Sequence, residues 1–211
     1  MLPHAGQPVE TRGRALGEGS AAMILVHGRG ATPRNILDLA AALAHPAFTY
    51  LAPGAAGNTW YPYSFMADTA ANEPGLSSGL GVLDVLVHQV LDAGIPRDRI
   101  VLAGFSQGAC LTSEYAVRHA GRYGAILVFS GGLIGPPGTT WPYGGDFAGT
   151  PVFLGCSDVD SHVPRTRVDE SAVVLEAMGA RVEKRIYAGM GHLINDDEIA
   201  FARTLLEEVA G

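Results

Sequence analysis

Ile100-Val101-Leu102-Ala103-Gly104-Phe105-Ser106-Gln107-Gly108 decides how this 211-residue chain is read. An apolar run of strand length ends in G-x-S-x-G, and a helix-compatible stretch begins at Gln107. The flanking glycines let strand and helix meet in a tight turn, which leaves Ser106 strained, with its hydroxyl projecting above a sheet. The N-terminus of the helix beneath it supplies free N–H groups and a dipole that favours developing negative charge. The plain alternative is a glycine-rich turn with an incidental serine. The strand before and the helix after weigh against it.

On either side of this stretch, short apolar runs alternate with longer amphipathic patterns. Buried strands are expected at 23–26, 48–52, 100–103, 125–129, 152–154 and 182–187, and helices at 34–44, 76–91, 107–119, 165–178 and 196–209. The last helix carries Ile199, Ala202, Leu205, Leu206 and Val209 on one stripe, with Asp196, Asp197 and Glu198 at its N-terminus, where the dipole favours negative charge. Alternation of this kind predicts an α/β domain, a mostly parallel central sheet with helices on both faces. Residues 1–20, polar and glycine-rich, are expected as an antiparallel edge strand or a hairpin. Residues 53–74 and 130–150 lack periodicity and read as long loops, the first holding Trp60, Tyr61, Tyr63 and Phe65, the second Trp141, Tyr143 and Phe147.

Composition bounds the function. With 47% hydrophobic and 17% charged residues the chain can bury one sizeable core, so a single domain over 1–211 with no large cap domain is expected. The net charge of -7, from 14 Lys and Arg against 21 Asp and Glu, argues against a nucleic-acid surface. Cys110 and Cys156 are too few for a disulfide framework and lack metal-type spacing, which suits a reducing compartment. The start, Met1 to Gln7, has no signal-peptide pattern, and no apolar run approaches the roughly 20 residues of a membrane span. A soluble, cytoplasmic protein is expected, with a homodimer as the oligomeric alternative to a monomer.

A serine nucleophile needs a base, and the base needs an orienting acid. Both follow Ser106 at later strand ends. The run 151–154 leads into Gly155-Cys156-Ser157-Asp158-Val159-Asp160-Ser161-His162-Val163-Pro164, and the run 182–187 into Ala188-Gly189-Met190-Gly191-His192. His192 occupies the slot that Ser, acid, His order requires, with His162 as the rival base. Asp158 and Asp160 compete for the acid, and spacing leaves the choice open. Asp158, Asp160 and His162 could also be read as D-x-D-x-H metal ligands, but no second cluster completes a site.

The oxyanion formed when Ser106 attacks an acyl carbon needs two fixed donors. The backbone amide of Gln107 is one candidate; the amide of Arg29, in the His27-Gly28-Arg29-Gly30-Ala31 loop after the first buried strand, is the other. A phosphate-cradling reading of that loop is weak, since neither a third dinucleotide-spaced glycine nor Gly-Lys-Ser/Thr is present.

With HGRGA at 27–31, GFSQG at 104–108, D-x-x-V-P at 160–164 and GMGH at 189–192, the chain from about Met23 to its end resembles the α/β-hydrolase superfamily. Within it, the chain is similar to the phospholipase/carboxylesterase family, which includes acyl-protein thioesterases and bacterial carboxylesterases. The resemblance implies an α/β-hydrolase fold, Ser106 as nucleophile, Asp160 rather than Asp158 as acid, His192 as base, and the Arg29 and Gln107 amides as oxyanion hole. It implies no metal and no organic cofactor. Eukaryotic thioesterases tend to carry an apolar residue at the position of Arg29 and an aliphatic one at that of His162, whereas Trp60 to Phe65, WYPYSF, is similar to a bacterial, dienelactone hydrolase-like subgroup. The expected substrate is therefore a small or short-chain carboxylic ester, held by Trp60, Phe65, Trp141 and His162. An acyl thioesterase or lysophospholipase with the same triad is the alternative. A non-catalytic binder of small carboxylates, using Arg29 or Arg165, is a further one.

Overall fold

The apolar runs form strands whose two faces are both covered. Residues 2–211 are described by the computed structural model. Seven strands run in chain order: β1 (Val9–Gly13), β2 (Ala21–Val26), β3 (Phe48–Pro53), β4 (Ile100–Phe105), β5 (Ala125–Phe129), β6 (Pro151–Ser157) and β7 (Arg181–Tyr187). They form one sheet in the order β1-β3-β2-β4-β5-β6-β7, in which only β1 is antiparallel to its neighbour. Five α-helices accompany them: α1 (Pro33–Ala42), α2 (Gly75–Asp92), α3 (Gln107–Arg118), α4 (Arg165–Ala177) and α5 (Asp196–Ala210).

Side-chain alternation divides the core into two layers. Ile24, Leu102, Ile126 and Val128 pack with α2, α3 and α4 on one face. Met23, Leu25, Val101 and Leu127 pack with α1 and α5 on the other. This is the single-domain α/β architecture expected from the sequence, with no large cap domain over the sheet. Among the described residues, no helix is long and apolar enough to cross a membrane.

The polar N-terminal segment does contribute the antiparallel edge: β1 pairs with β3 from Val9 opposite Pro53 to Gly13 opposite Thr49. Elsewhere the differences lie at element ends. β4 and β6 run two to three residues past their apolar stretches, because the ladder continues through Gly104 opposite Val128, Phe105 opposite Phe129 and Ser157 opposite Tyr187. Helix α1 begins at Pro33, one residue earlier than the hydrophobic pattern suggests. Thr32 caps it by accepting from the Asn35 amide, and proline suits the first helical turn.

The register matters for the site. Phe105 of β4, Phe129 of β5 and Gly155 of β6 lie side by side, so these parallel strands end at one edge of the sheet. The loops after β2, β4, β6 and β7 therefore open toward the same region, the usual location of ligand sites in such sheets.

Candidate active site

Ser106 follows β4 directly and has φ 56 and ψ -121, a conformation that costs a non-glycine residue on the order of 1–3 kcal/mol. Its surroundings hold it there. The Ser106 amide donates to the Phe129 carbonyl at 2.9 Å, and its carbonyl accepts from the Cys110 amide at 3.0 Å. The two motif glycines are required by contact. A Cβ on Gly104 would lie 2.5 Å from the Gly108 carbonyl carbon, and one on Gly108 would lie 2.1 Å from the Val26 oxygen.

His192, in the loop after β7, reaches back over the sheet edge. Its Nε2 lies 2.8 Å from Ser106 Oγ and its Nδ1 2.6 Å from Asp160 Oδ2. The carboxylate fixes the tautomer: Nδ1–H donates to Asp160, which leaves Nε2 to accept from the serine hydroxyl. The other carboxylate oxygen accepts from the His162 amide at 2.8 Å and the Val163 amide at 3.0 Å. Desolvation alone would raise the Asp160 carboxyl, but the hydrogen bond from His192 and those two amides outweigh it and hold it below its ordinary value. It therefore stays ionised beside the imidazole.

Asp158 does not reach His192. Its Oδ1 accepts from the Gly189 amide at 2.8 Å, and Ser157 Oγ accepts from the Gly191 amide at 3.1 Å, so together they anchor the loop that carries the histidine. The rival base His162 stands edge-on to His192 with ring centroids 4.7 Å apart, on the solvent side. Phe105 packs against the His192 ring at 4.9 Å. Among the described residues, no group of three or more His, Cys, Asp or Glu side chains converges to hold a metal ion. Both thiols are buried, and burial pushes Cys110 and Cys156 each up to about 12, so neither offers a thiolate.

The loop after β2 approaches Ser106 closely: a Cβ on Gly28 would lie 3.3 Å from the Ser106 Cβ. His27 sets its orientation. The Ala55 amide donates to His27 Nε2 at 3.2 Å, so the ring hydrogen is on Nδ1, which donates to the Gly28 carbonyl at 2.8 Å. In a trans peptide the N–H points opposite to the C=O. Pulling the Gly28 carbonyl toward His27 thus turns the Arg29 amide away from it. The next amide, of Gly30, is taken by the Asn58 carbonyl at 2.7 Å, whereas the Arg29 amide donates to no group among the described residues. The Gln107 amide, at the first position of α3, has no acceptor within its own helix. Burial, partly opposed by the Gly28 carbonyl, lowers the pKa of His27 and keeps the ring neutral, as its acceptor role requires.

A cleft of ≈ 480 Å³ opens over Ser106 and His192, walled by Arg29, Tyr61, Pro62, Tyr63, Phe65, Phe105, His162 and Val163. Of the expected substrate contacts, Phe65 and His162 line it. Trp60 and Trp141 do not, and the expectation for both is corrected. Trp60 is fully buried beneath the wall, with its indole N–H on the His27 carbonyl at 2.9 Å and its ring against His4 and His27. Trp141 donates to the Ile134 carbonyl and packs on the guanidinium of Arg167, 5.0 Å from the ring centroid. Arg165 is exposed beside Asp169 and is not among the cleft residues. The sequence reading assigned nothing to His27, Tyr61 or Val163. Adjacency of His27 to the glycine loop was the one available signal.

The sequence profile of the Phospholipase/Carboxylesterase family matches residues 16–210. The chain belongs to the phospholipase/carboxylesterase family. Among solved structures, this family member is similar to a phospholipase/carboxylesterase from Dyadobacter fermentans, with 42% identity, a TM-score of 0.93 and coverage of 98% of this chain and 99% of that one. Esterase PE8, at 24% identity and a TM-score of 0.77 over 96% of this chain and 99% of that one, shares the fold. Acyl-protein thioesterase 1 of Eremothecium gossypii is 29% identical over 68% of this chain, and the match spans 63% of that relative's length. Acyl-protein thioesterase 1 of Yarrowia lipolytica is 26% identical over 71% of this chain and 68% of its own.

Proposed function

We propose that this family member is a serine carboxylesterase that hydrolyses small or short-chain carboxylic esters through an acyl-enzyme on Ser106. The observation that carries the reading is the unbroken hydrogen-bond chain from Ser106 Oγ through His192 to Asp160. In the first half-reaction Ser106 Oγ attacks the ester carbon while His192 Nε2 takes the hydroxyl proton. The carbonyl oxygen becomes an oxyanion facing the Arg29 and Gln107 amides, where each fixed donor is worth about 10²–10³ in rate. The tetrahedral species collapses, the C–O bond to the alcohol breaks, and the imidazolium returns the proton to the departing oxygen. In the second half-reaction His192 deprotonates water, hydroxide adds to the acyl carbon, and the carboxylic acid leaves as Ser106 recovers its proton. Asp160 holds the tautomer and offsets the imidazolium charge in both halves.

The short-chain preference is supported by the lack of a cap domain over the sheet to enclose a long acyl chain. A second reading, hydrolysis of acyl thioesters by the same residues, is favoured by the names of the curated relatives from Eremothecium gossypii and Yarrowia lipolytica. Hydrolysis rates for p-nitrophenyl acetate, butyrate and palmitate, set beside a butyryl thioester, separate the possibilities. The expected kcat/KM is highest for acetate or butyrate and at least about tenfold lower for palmitate, a difference of ~1.4 kcal/mol in transition-state binding. Faster palmitate turnover would overturn the chain-length argument, and a butyryl thioester well ahead of the matching ester would favour the second reading.

A further inference from the structure

The two residues whose backbone amides serve the oxyanion spend their side chains on one stretch of the cleft wall. Arg29 donates from Nη2 to the Tyr61 carbonyl at 2.9 Å and the Tyr63 carbonyl at 2.6 Å, and from Nη1 to the Pro62 carbonyl at 2.8 Å. Gln107 Oε1 accepts from the Trp60 amide at 2.9 Å, and its Nε2 donates to the Tyr61 carbonyl at 2.8 Å. The Tyr61 carbonyl is thus the joint, with one bond from each side. A planar guanidinium can serve three carbonyls at once, which the single point of a lysine ammonium cannot reproduce. No carboxylate pairs with Arg29 among the described residues, and no acidic side chain lines the cleft. Three of its five N–H donors are committed to the wall, so the guanidinium is a structural clamp rather than a free anion receptor.

We infer that the Arg29 and Gln107 side chains are positioning residues, which join the oxyanion hole to the acyl wall through the Tyr61 carbonyl. The inference rests on Ser106 being the nucleophile. Its consequence is that a shift of the Tyr61–Tyr63 wall is passed to the residues bearing both amides. The fit of the acyl group then acts on kcat, through oxyanion geometry, as well as on binding.

The test is a double-mutant cycle on the full chain, with Arg29→Ala, Gln107→Ala and the double variant, plus Arg29→Lys and Gln107→Glu. Arg29→Lys keeps the charge, and Gln107→Glu keeps the acceptor for the Trp60 amide, so these two probe the clamp should an alanine variant fail to fold. Active sites are counted with a fluorophosphonate, and kcat and KM are measured for p-nitrophenyl acetate, butyrate and the anionic hemisuccinate. Each single variant should lose about 10- to 100-fold in kcat per active site, with KM changed less than about threefold. The double variant should lose far less than the product of the single losses, since either change releases the same wall. Losses that multiply, or wild-type kcat in Arg29→Lys, would overturn the coupling. A loss confined to KM for the hemisuccinate would instead make Arg29 a contact for substrate anions. Failure of the parent reading looks different: the wild-type protein would neither turn over ester nor label at Ser106.

Discussion

His27 takes no part in the proposed bond changes, yet it orients the Arg29 amide that the proposed mechanism assigns to the oxyanion. Its neutral ring accepts from the Ala55 amide and holds the Gly28 carbonyl, which aims the Arg29 amide outward. Removing the ring takes away one of the two hydrogen bonds on the Gly28 carbonyl, leaving the Ala31 amide at 3.2 Å, and so loosens the Gly28–Arg29 peptide without touching the hydrogen bond between Ser106 and His192. His27→Ala should therefore lower kcat about 10- to 100-fold and leave KM nearly unchanged, as expected when only transition-state stabilisation is lost. Steady-state kinetics on p-nitrophenyl acetate check this, and a wild-type kcat would refute it. None of this was legible in the sequence, because the orienting partner lies 28 residues away on another loop. Trp60 misled for the same reason. An aromatic in a loop reads as a pocket wall until His4, His27 and Gln107 are seen to enclose it.

Among the elements, α5 links the loop that carries His192 to the core. Asn195 and Glu198 form a reciprocal cap at its start: the Asn195 side chain accepts from the Glu198 amide, and Glu198 Oε2 accepts from the Asn195 amide. The other carboxylate oxygen, Oε1, is buried with no hydrogen-bond partner, and burial pushes Glu198 up from its ordinary 4.5 to about 7. The folded protein holds this proton more tightly than the unfolded chain does. Its contribution is therefore fully present below about 4.5 and is lost as pH rises through about 7. The wild-type Tm should fall between pH 5 and pH 8 by roughly 3–8 °C more than that of Glu198→Gln, which cannot ionise. Parallel slopes for the two proteins in thermal melts would contradict this. The acidic start of α5 was readable from Asp196-Asp197-Glu198, whereas the isolation of one of these carboxylates depends on the side-chain-free Gly155 of β6 against it. Strand ends behaved likewise: β4 stays buried through Gly104 and β6 through Gly155, Cys156 and Ser157, but glycine and small polar residues interrupt the apolar pattern there while ladder pairing carries both strands on.

Across the whole molecule, six parallel-running strands, level at one edge, bring together residues that are far apart in the chain. Alternating apolar and amphipathic segments made that architecture readable, because strand and helix periods differ and each element needs cover. The order of Ser106, Asp160 and His192 was readable too, since each follows a strand. The choice between Asp160 and Asp158 was not accessible to spacing, because two residues of one loop are separated only by how it folds back onto His192. In the proposed mechanism Ser106 carries the acyl group. Rapid quenching of a p-nitrophenyl butyrate reaction, followed by mass spectrometry of the protein and its peptides, reads this directly. The expected result is a butyryl adduct on the peptide containing Ser106, and neither adduct nor turnover in Ser106→Ala. An adduct on another residue, or undiminished turnover by purified Ser106→Ala, would contradict it.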